Sequence, residues 1–233
     1  MNSDNKDKRF KTIIFVLAFM LIFFQKSTAQ IGVGIGFFIP STGYVANVYG
    51  PLSLRGVGFS INKIFTVQTG FTVYSMPGNA VTHLPFKAKE PLFGASTTLL
   101  VPLEFGLGTR IGNVSISASA GGFMFYNFTH RLDKGNFDRA ISEYEGWDVT
   151  NADLNYTNRP GYGFITSFEI EYHVNKKLGI YIQYSYLDGE SVLELNGNYK
   201  GGNLGGNIIE KTAAFNDARL SIKGSEVSVG VHF

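Results

Sequence analysis

In the stretch IFTVQTGFTVYSM, Phe65, Val67, Phe71 and Val73 share one parity, while Thr66, Gln68, Gly70, Thr72 and Tyr74 share the other. A period of two marks a β-strand with one face against an apolar medium. The pattern returns along the chain. Leu99, Val101, Leu103, Phe105 and Leu107 oppose Thr98, Glu104, Gly106 and Gly108, and Val114, Ile116, Ala118, Ala120 and Met124 oppose Ser115, Ser117, Ser119 and Gly121. Tyr162, Phe164, Phe168, Ile170 and Tyr172 oppose Ser167, Glu169, Glu171 and His173; Leu178, Ile180, Ile182, Tyr184 and Tyr186 oppose Gly179, Tyr181, Gln183 and Ser185. Two earlier segments, IGVGIGFF and LRGVGFSI, set apolar residues against glycine and serine, and the eighth is the terminal SEVSVGVHF. In LRGVGFSI the parity of Val57, Phe59 and Ile61 puts Arg55 on the outward, apolar side. No basic residue then falls on the polar parity of any strand.

Alternating strands build either a soluble sandwich or a membrane barrel, and the connectors discriminate. They alternate in length: Asn62 and Lys63 alone join strands two and three, TRIGN joins four and five, and VNKK joins six and seven. PSTGYVANVYGP, PGNAVTHLPFKAKEPLFGA, the run from Thr129 to Pro160 and the run from Asp188 onward form the long set. Short turns on one side and long loops on the other predict an all-β fold: an eight-stranded antiparallel up-and-down transmembrane β-barrel with short periplasmic turns, long extracellular loops and periplasmic termini. A sandwich would distribute its loops without that alternation.

The final strand carries an irregularity. In ARLSIKGSEVSVGVHF the apolar residues change parity between Ile222 and Val227, which predicts either a β-bulge at Gly224 or a strand that starts only near Ser225.

Composition supports a surface that does not meet water everywhere. Charged residues are 16% of the chain, against roughly 25% in soluble domains, while 15% are aromatic. With no cysteine, disulfides, thiolate metal sites and cysteine nucleophiles are excluded. Residues 1–29 carry Lys6, Lys8, Arg9, Lys11 and Lys26 against Asp4 and Asp7, or +3 of the net +2, so the remainder is −1 and a nucleic-acid partner has no electrostatic basis. The same stretch has an apolar core from Ile13 to Phe24 and small residues at Ser27 and Ala29. It reads as a cleaved secretory signal, cut between Ala29 and Gln30, leaving 30–233 as the barrel. Its apolar core is short of the roughly 20 residues a transmembrane anchor needs.

With the signal and the eight strands, the whole segment from Gln30 to Phe233 resembles the small outer-membrane β-barrel superfamily, in particular the OmpX-like and Bacteroidetes-type barrel proteins. The resemblance implies a Gram-negative outer-membrane location and no enzymatic role. Val227, Val229, Val231 and Phe233 resemble the C-terminal β-signal that the barrel-assembly machinery recognises. Outer-membrane lipid and lipopolysaccharide are the expected surroundings, and an outer-membrane protein complex is an expected partner.

Eight strands enclose an interior just wide enough to be filled by side chains, which argues against a diffusion porin. The lumen is expected to hold a polar cluster of Gln68, Glu104, Glu169, Glu171, Gln183 and Glu226, with Tyr74, His173 and Tyr181 on the same parity. This reads as a hydrogen-bonded plug, with a proton or cation pathway as the sharper alternative. No catalytic residue, cofactor or metal is expected. Asp148, Asn151, Asp153 and Asn155 have acidic-loop spacing but lack the glycine and terminal glutamate of a calcium loop.

Specificity is expected in the loops. The segment after Thr129 contains one helix-forming run, DRAISEYE, and the only tryptophan, Trp147, which with Tyr144 is a candidate partner contact. NGNYKGGNLGGN is expected to be a mobile loop. Two function classes follow. The first is a non-enzymatic barrel serving as an accessory subunit of a larger assembly, for secretion, uptake or barrel insertion, or binding through its loops. The second is a lipid A-modifying enzyme of the deacylase type, for which Ser185 and Glu190 near the outer rim and His130 are the available residues.

Overall fold

The computed structural model describes residues 31–41, 50–61, 64–76, 78, 80–129 and 131–233. The expected signal and its cut between Ala29 and Gln30 lie outside them. Among the described residues, eleven strands and one helix run in the order β1 (Gly32–Pro40), β2 (Leu52–Ile61), β3 (Phe65–Met76), β4 (Ala80–Thr82), β5 (Ser96–Ile111), β6 (Val114–Thr129), α1 (Lys134–Glu145), β7 (Val149–Asn158), β8 (Gly161–His173), β9 (Gly179–Gly202), β10 (Ile209–Phe215) and β11 (Arg219–His232).

Eight of these strands close on themselves. β1 pairs with β2, β2 with β3, then β5, β6, β8, β9 and β11 follow in turn, each antiparallel to its neighbour. β11 returns to β1 from Gly32↔His232 to Pro40↔Gly224. Backbone bonds join Phe233 N to Ile31 O at 3.0 Å and Ile31 N to Phe233 O at 3.3 Å. Among the described residues each of the eight strands is thus paired on both sides, β1 with β2 over Gly32 to Ile35, where an isolated sheet would leave the N–H and C=O groups of its two edge strands unpaired.

Side chains alternate across the wall. Ile35, Phe37, Phe105, Phe168, Ile182 and Val229 are exposed on the outside, while Tyr74, Leu100, Gln183 and Glu226 are buried within. Large and small inward residues are matched across strands. Phe123 lies on the cross-strand row of Gly163 and Gly189, where an added Cβ would come within 2.5 and 2.6 Å of its ring. Glycine there is what lets a phenylalanine fit inside so narrow a ring.

Two sequence expectations are corrected by register. β11 is continuous from Arg219 and pairs with β9 residue for residue through Gly224, so the strand neither bulges there nor waits until Ser225. Leu220 and Ile222 face inward like Glu226 and Ser228. What changes along the strand is the polarity of the interior, apolar at one end and polar at the other. The second correction is Arg55, which is 5% exposed and faces the lumen. Register shifts between Leu54 and Val57 in the β2–β3 pair, and Gly56 sits at φ 75°. A bulge with its glycine in the left-handed region inserts one residue and reverses parity on one side of it.

At the end away from the termini, β9 runs on past the ring. Its first half pairs with β8 and β11, and its second half pairs with β7 and β10, from Leu193↔Asn158 to Gly202↔Val149 and from Leu195↔Phe215 to Gly201↔Ile209. The run expected to be a mobile loop thus contributes the end of β9, with only residues 203–208 as its turn. Helix α1 lies on this small sheet. It starts at Asp133, whose side chain accepts from Asn136 N at 3.1 Å, and stops at Gly146, whose φ of 69° ends the turn. Phe137, Ala140 and Ile141 form its buried stripe.

Candidate functional site

The lumen has three levels. Nearest the β9 extension is an apolar plug of Phe38, Met76, Leu100, Phe123, Phe125 and Ile165, joined by the ring of Tyr74. Phe38 meets Tyr74 edge-on at 5.4 Å between ring centroids.

At mid-height stands a buried ion pair. Arg55 Nη2 is 3.1 Å from Glu226 Oε1, with the side chains 6% and 0% exposed. Arg55 also donates through Nε to Thr72 Oγ1 at 3.2 Å, and through Nη1 to Gln183 Oε1 at 3.1 Å and Ser185 Oγ at 3.3 Å. Tyr74 donates to Glu226 Oε2 at 2.5 Å. The guanidinium, supplied by β2, thus ties β3, β9 and β11 together across the interior. A charged pair so enclosed holds only when its remaining donors and acceptors are satisfied as well.

Glu104 sits beside this network, accepting from Ser119 Oγ at 2.7 Å, and Ser119 also takes Gln68 Nε2 at 3.4 Å. Toward the termini, Glu171 Oε1 lies 3.4 Å from His232 Nδ1 and 3.5 Å from His173 Nδ1. His173 Nε2 is 2.7 Å from Ser115 Oγ, and Tyr181 stacks on His232 with centroids 4.4 Å apart.

All six acidic and amide residues expected in the lumen face inward, but they form separate groups. Gln68 and Glu104 make one, Gln183 and Glu226 join Arg55, and Glu169 and Glu171 join His232. The basic partner of Glu226 was missed. Its signal was the Arg55-Gly56 pair, since an isolated glycine within a strand pattern marks a bulge.

The cap formed by α1, β7, β10, the outer half of β9 and the 83–94 segment has its own core. Phe93, Phe137, Ile141, Leu193 and Leu195 are almost wholly buried there. Trp147, expected as an exposed contact, is half-buried. Its ring lies 5.9 Å from that of Tyr199, with Lys211 Nζ 5.4 Å from its centroid. Tyr144 is 52% exposed and tilts against Phe86. Lys211 Nζ and Tyr199 OH both donate to Glu145, at 2.5 and 2.6 Å. The Lys211 bond, then the Tyr199 bond, holds the Glu145 carboxyl below its usual range. Asp148 accepts from Leu204 N, and Asp153 faces Lys134, so each has a partner within the cap.

Ser185 is not at the rim. It is buried at mid-lumen between Arg55 and Ser167, with 2.9 Å to Ser167 Oγ, where no lipid on the outside can reach it. His130 lies outside the described residues. Val227 and Val229 face outward on β11, and Phe233 is 62% exposed.

Among solved structures, the outer membrane protein OprG from Pseudomonas aeruginosa is similar over 88% of this chain and 95% of its own, with a TM-score of 0.54 and 11% identity. A major outer membrane protein from Thermus thermophilus aligns over 90% of this chain and 99% of its own at a TM-score of 0.48 and 9% identity. This chain has the fold of OprG. No protein-family model matches the chain, and neither does any curated protein.

Proposed function

We propose that this protein is an integral, non-enzymatic β-barrel of a Gram-negative outer membrane that passes no solute on its own and acts through its folded cap. The observation that carries the reading is the inversion of polarity across the ring. Bulky apolar residues are exposed around the outside, while Arg55 and Glu226 are sealed within. Water would not favour that arrangement, and a bilayer requires it. On β8 the exposed Tyr162 and Tyr172 are ten residues apart, roughly 25 Å along the axis of a tilted strand, which suits the apolar band between two aromatic girdles.

The connector lengths orient the reading, with the termini and short turns in the periplasm and the cap outside. The apolar plug above a buried ion pair supports a closed lumen. A cap with its own core supports a rigid surface for a partner protein, either as accessory subunit of an outer-membrane assembly or as a surface binder. In this reading Val227, Val229, Val231 and Phe233 are read by the assembly machinery, and Tyr144 is the cap aromatic offered to a partner.

Two measurements test it. Folded protein from outer membranes should migrate differently before and after boiling, and should give no stepwise conductance in planar bilayers. Isolation in mild detergent should yield a stoichiometric partner that is lost when the cap is removed. Recovery from the soluble fraction, or open-channel conductance, would end the proposal.

A further inference from the structure

We propose that the lumen near the termini binds a divalent cation of the zinc class through Glu169, Glu171 and His232. Ligand atoms of these three residues, carboxylate oxygens and a ring nitrogen, all lie within 4.8 Å of one another. The inference rests on the fold alone and goes beyond the role argued for the cap.

The spacing fits a metal better than a hydrogen bond. His232 Nδ1 and Glu171 Oε1 are 3.4 Å apart, and each is a buried atom with no hydrogen-bond partner. Their ion-pair contact leaves the hydrogen-bonding directions of both atoms unfilled, and a bound cation would satisfy both at once. Zinc bonds of about 2.0–2.1 Å place neighbouring ligands of a tetrahedral site about 3.3 Å apart, which is close to the separation here. One imidazole and two carboxylates suit a cation of this class, and three protein ligands leave a fourth position for water. Charge points the same way. Arg55 is engaged with Glu226, and the groups facing Glu171 at ion-pair distance are the imidazoles of His232 and His173, so a divalent ion held by a neutral imidazole would balance the carboxylates of Glu169 and Glu171.

The wall is shaped around these side chains. A Cβ at Gly179 would overlap Glu171 Oε1, and one at Gly32 would overlap His232 Cδ2. Tyr181 holds the His232 ring by stacking at an interplanar angle of 21°. His173, braced by Ser115 on its other nitrogen, reaches the same Glu171 oxygen and is a positioning residue, in the way outer partners orient metal-binding carboxylates. The sequence carried no metal motif because the ligands come from β8 and β11, with no short spacing between them.

The test uses protein purified folded in detergent and stripped with a chelator, titrated with Zn²⁺ alone and then with Co²⁺ alone. Wild type is expected to take one equivalent of Zn²⁺ and to give the intense visible absorption of tetrahedral Co²⁺. Glu169→Gln and His232→Gln should each weaken Zn²⁺ binding at least tenfold, while His173→Gln keeps the stoichiometry. Retained heat-modifiable migration certifies that each variant is folded, and Glu169→Gln carries the comparison if His232→Gln does not fold. Folded wild type that takes up no Zn²⁺ overturns the proposal and leaves a plain His232–Glu171 ion pair. Unchanged binding in the folded Glu169→Gln variant overturns it equally.

Discussion

Arg55 and Glu226 meet at 3.1 Å from the two strands that flank β1, β2 and β11, and both side chains are buried. Removing one partner strands the other charge. Arg55→Met or Glu226→Gln alone is expected to cost about 3–5 kcal/mol, and the double change to restore most of it, because the penalty lies in the uncompensated ion. The check is the urea midpoint of protein folded in vesicles. Single changes costing less than about 1 kcal/mol would mean that water enters the lumen and screens the pair.

Gly56 makes that pair by letting Arg55 turn inward. Gly56→Ala forces a Cβ into the left-handed region, a strain of about 1–2 kcal/mol, and brings it to 3.1 Å from His232 Nε2. Gly112 is a control, since its φ is also positive, at 62°, but a Cβ there meets nothing within 4 Å. Gly56→Ala should therefore destabilise more than Gly112→Ala in the same unfolding experiment. Equal losses would show that backbone strain is the whole effect.

These two positions also show what periodicity could and could not reveal. Every strand with an unbroken alternation, such as Leu99 to Leu107, was legible because a wall between two media sorts side chains by parity alone. Arg55 was misread because a bulge shifts parity without changing composition. Leu220 and Ile222 were misread for a different reason: on their buried side Ile222 meets the apolar lumen plug of Phe123 and Phe125 and Leu220 the cap core, so inward residues there look like outward ones. The outer half of β9 was hidden by its Gly and Asn content. Pairing on both edges, with β7 and β10, outweighs that weak local preference.

Trp147 gives the cap a reporter of its own, since it is the only tryptophan in the chain. The Glu145 carboxyl, lowered by Lys211 and then Tyr199, contributes stability above the ordinary carboxylate range and loses it as pH falls through the depressed value. Tyr199, raised from 10.0 to about 12 by burial and then by its bond to Glu145, contributes fully below 10.0 and loses its share as pH rises toward about 12. Trp147 emission should thus step at both limits. Glu145→Gln should abolish the acid step, and an acid step that persists would assign it to another carboxylate.

The cap core and the lumen plug are separate clusters, which makes the cap's stability separable from that of the ring. Phe137 is fully buried, meeting Phe93 and Phe86 edge-on at 6.2 and 6.5 Å. Phe137→Ala should cost the cap about 3–5 kcal/mol through lost burial and the cavity left behind. Because Phe137 packs in the cap cluster and not in the lumen plug, the loss should be local. Limited trypsin is expected to cut the variant near Lys134 and Arg139, both exposed on α1, while the ring keeps its folded migration before boiling. A variant that loses its folded migration outright would mean that cap and ring form one cooperative unit. In that case the small sheet on β9 would be required for closing the ring, and the cap could not serve as an independent binding surface.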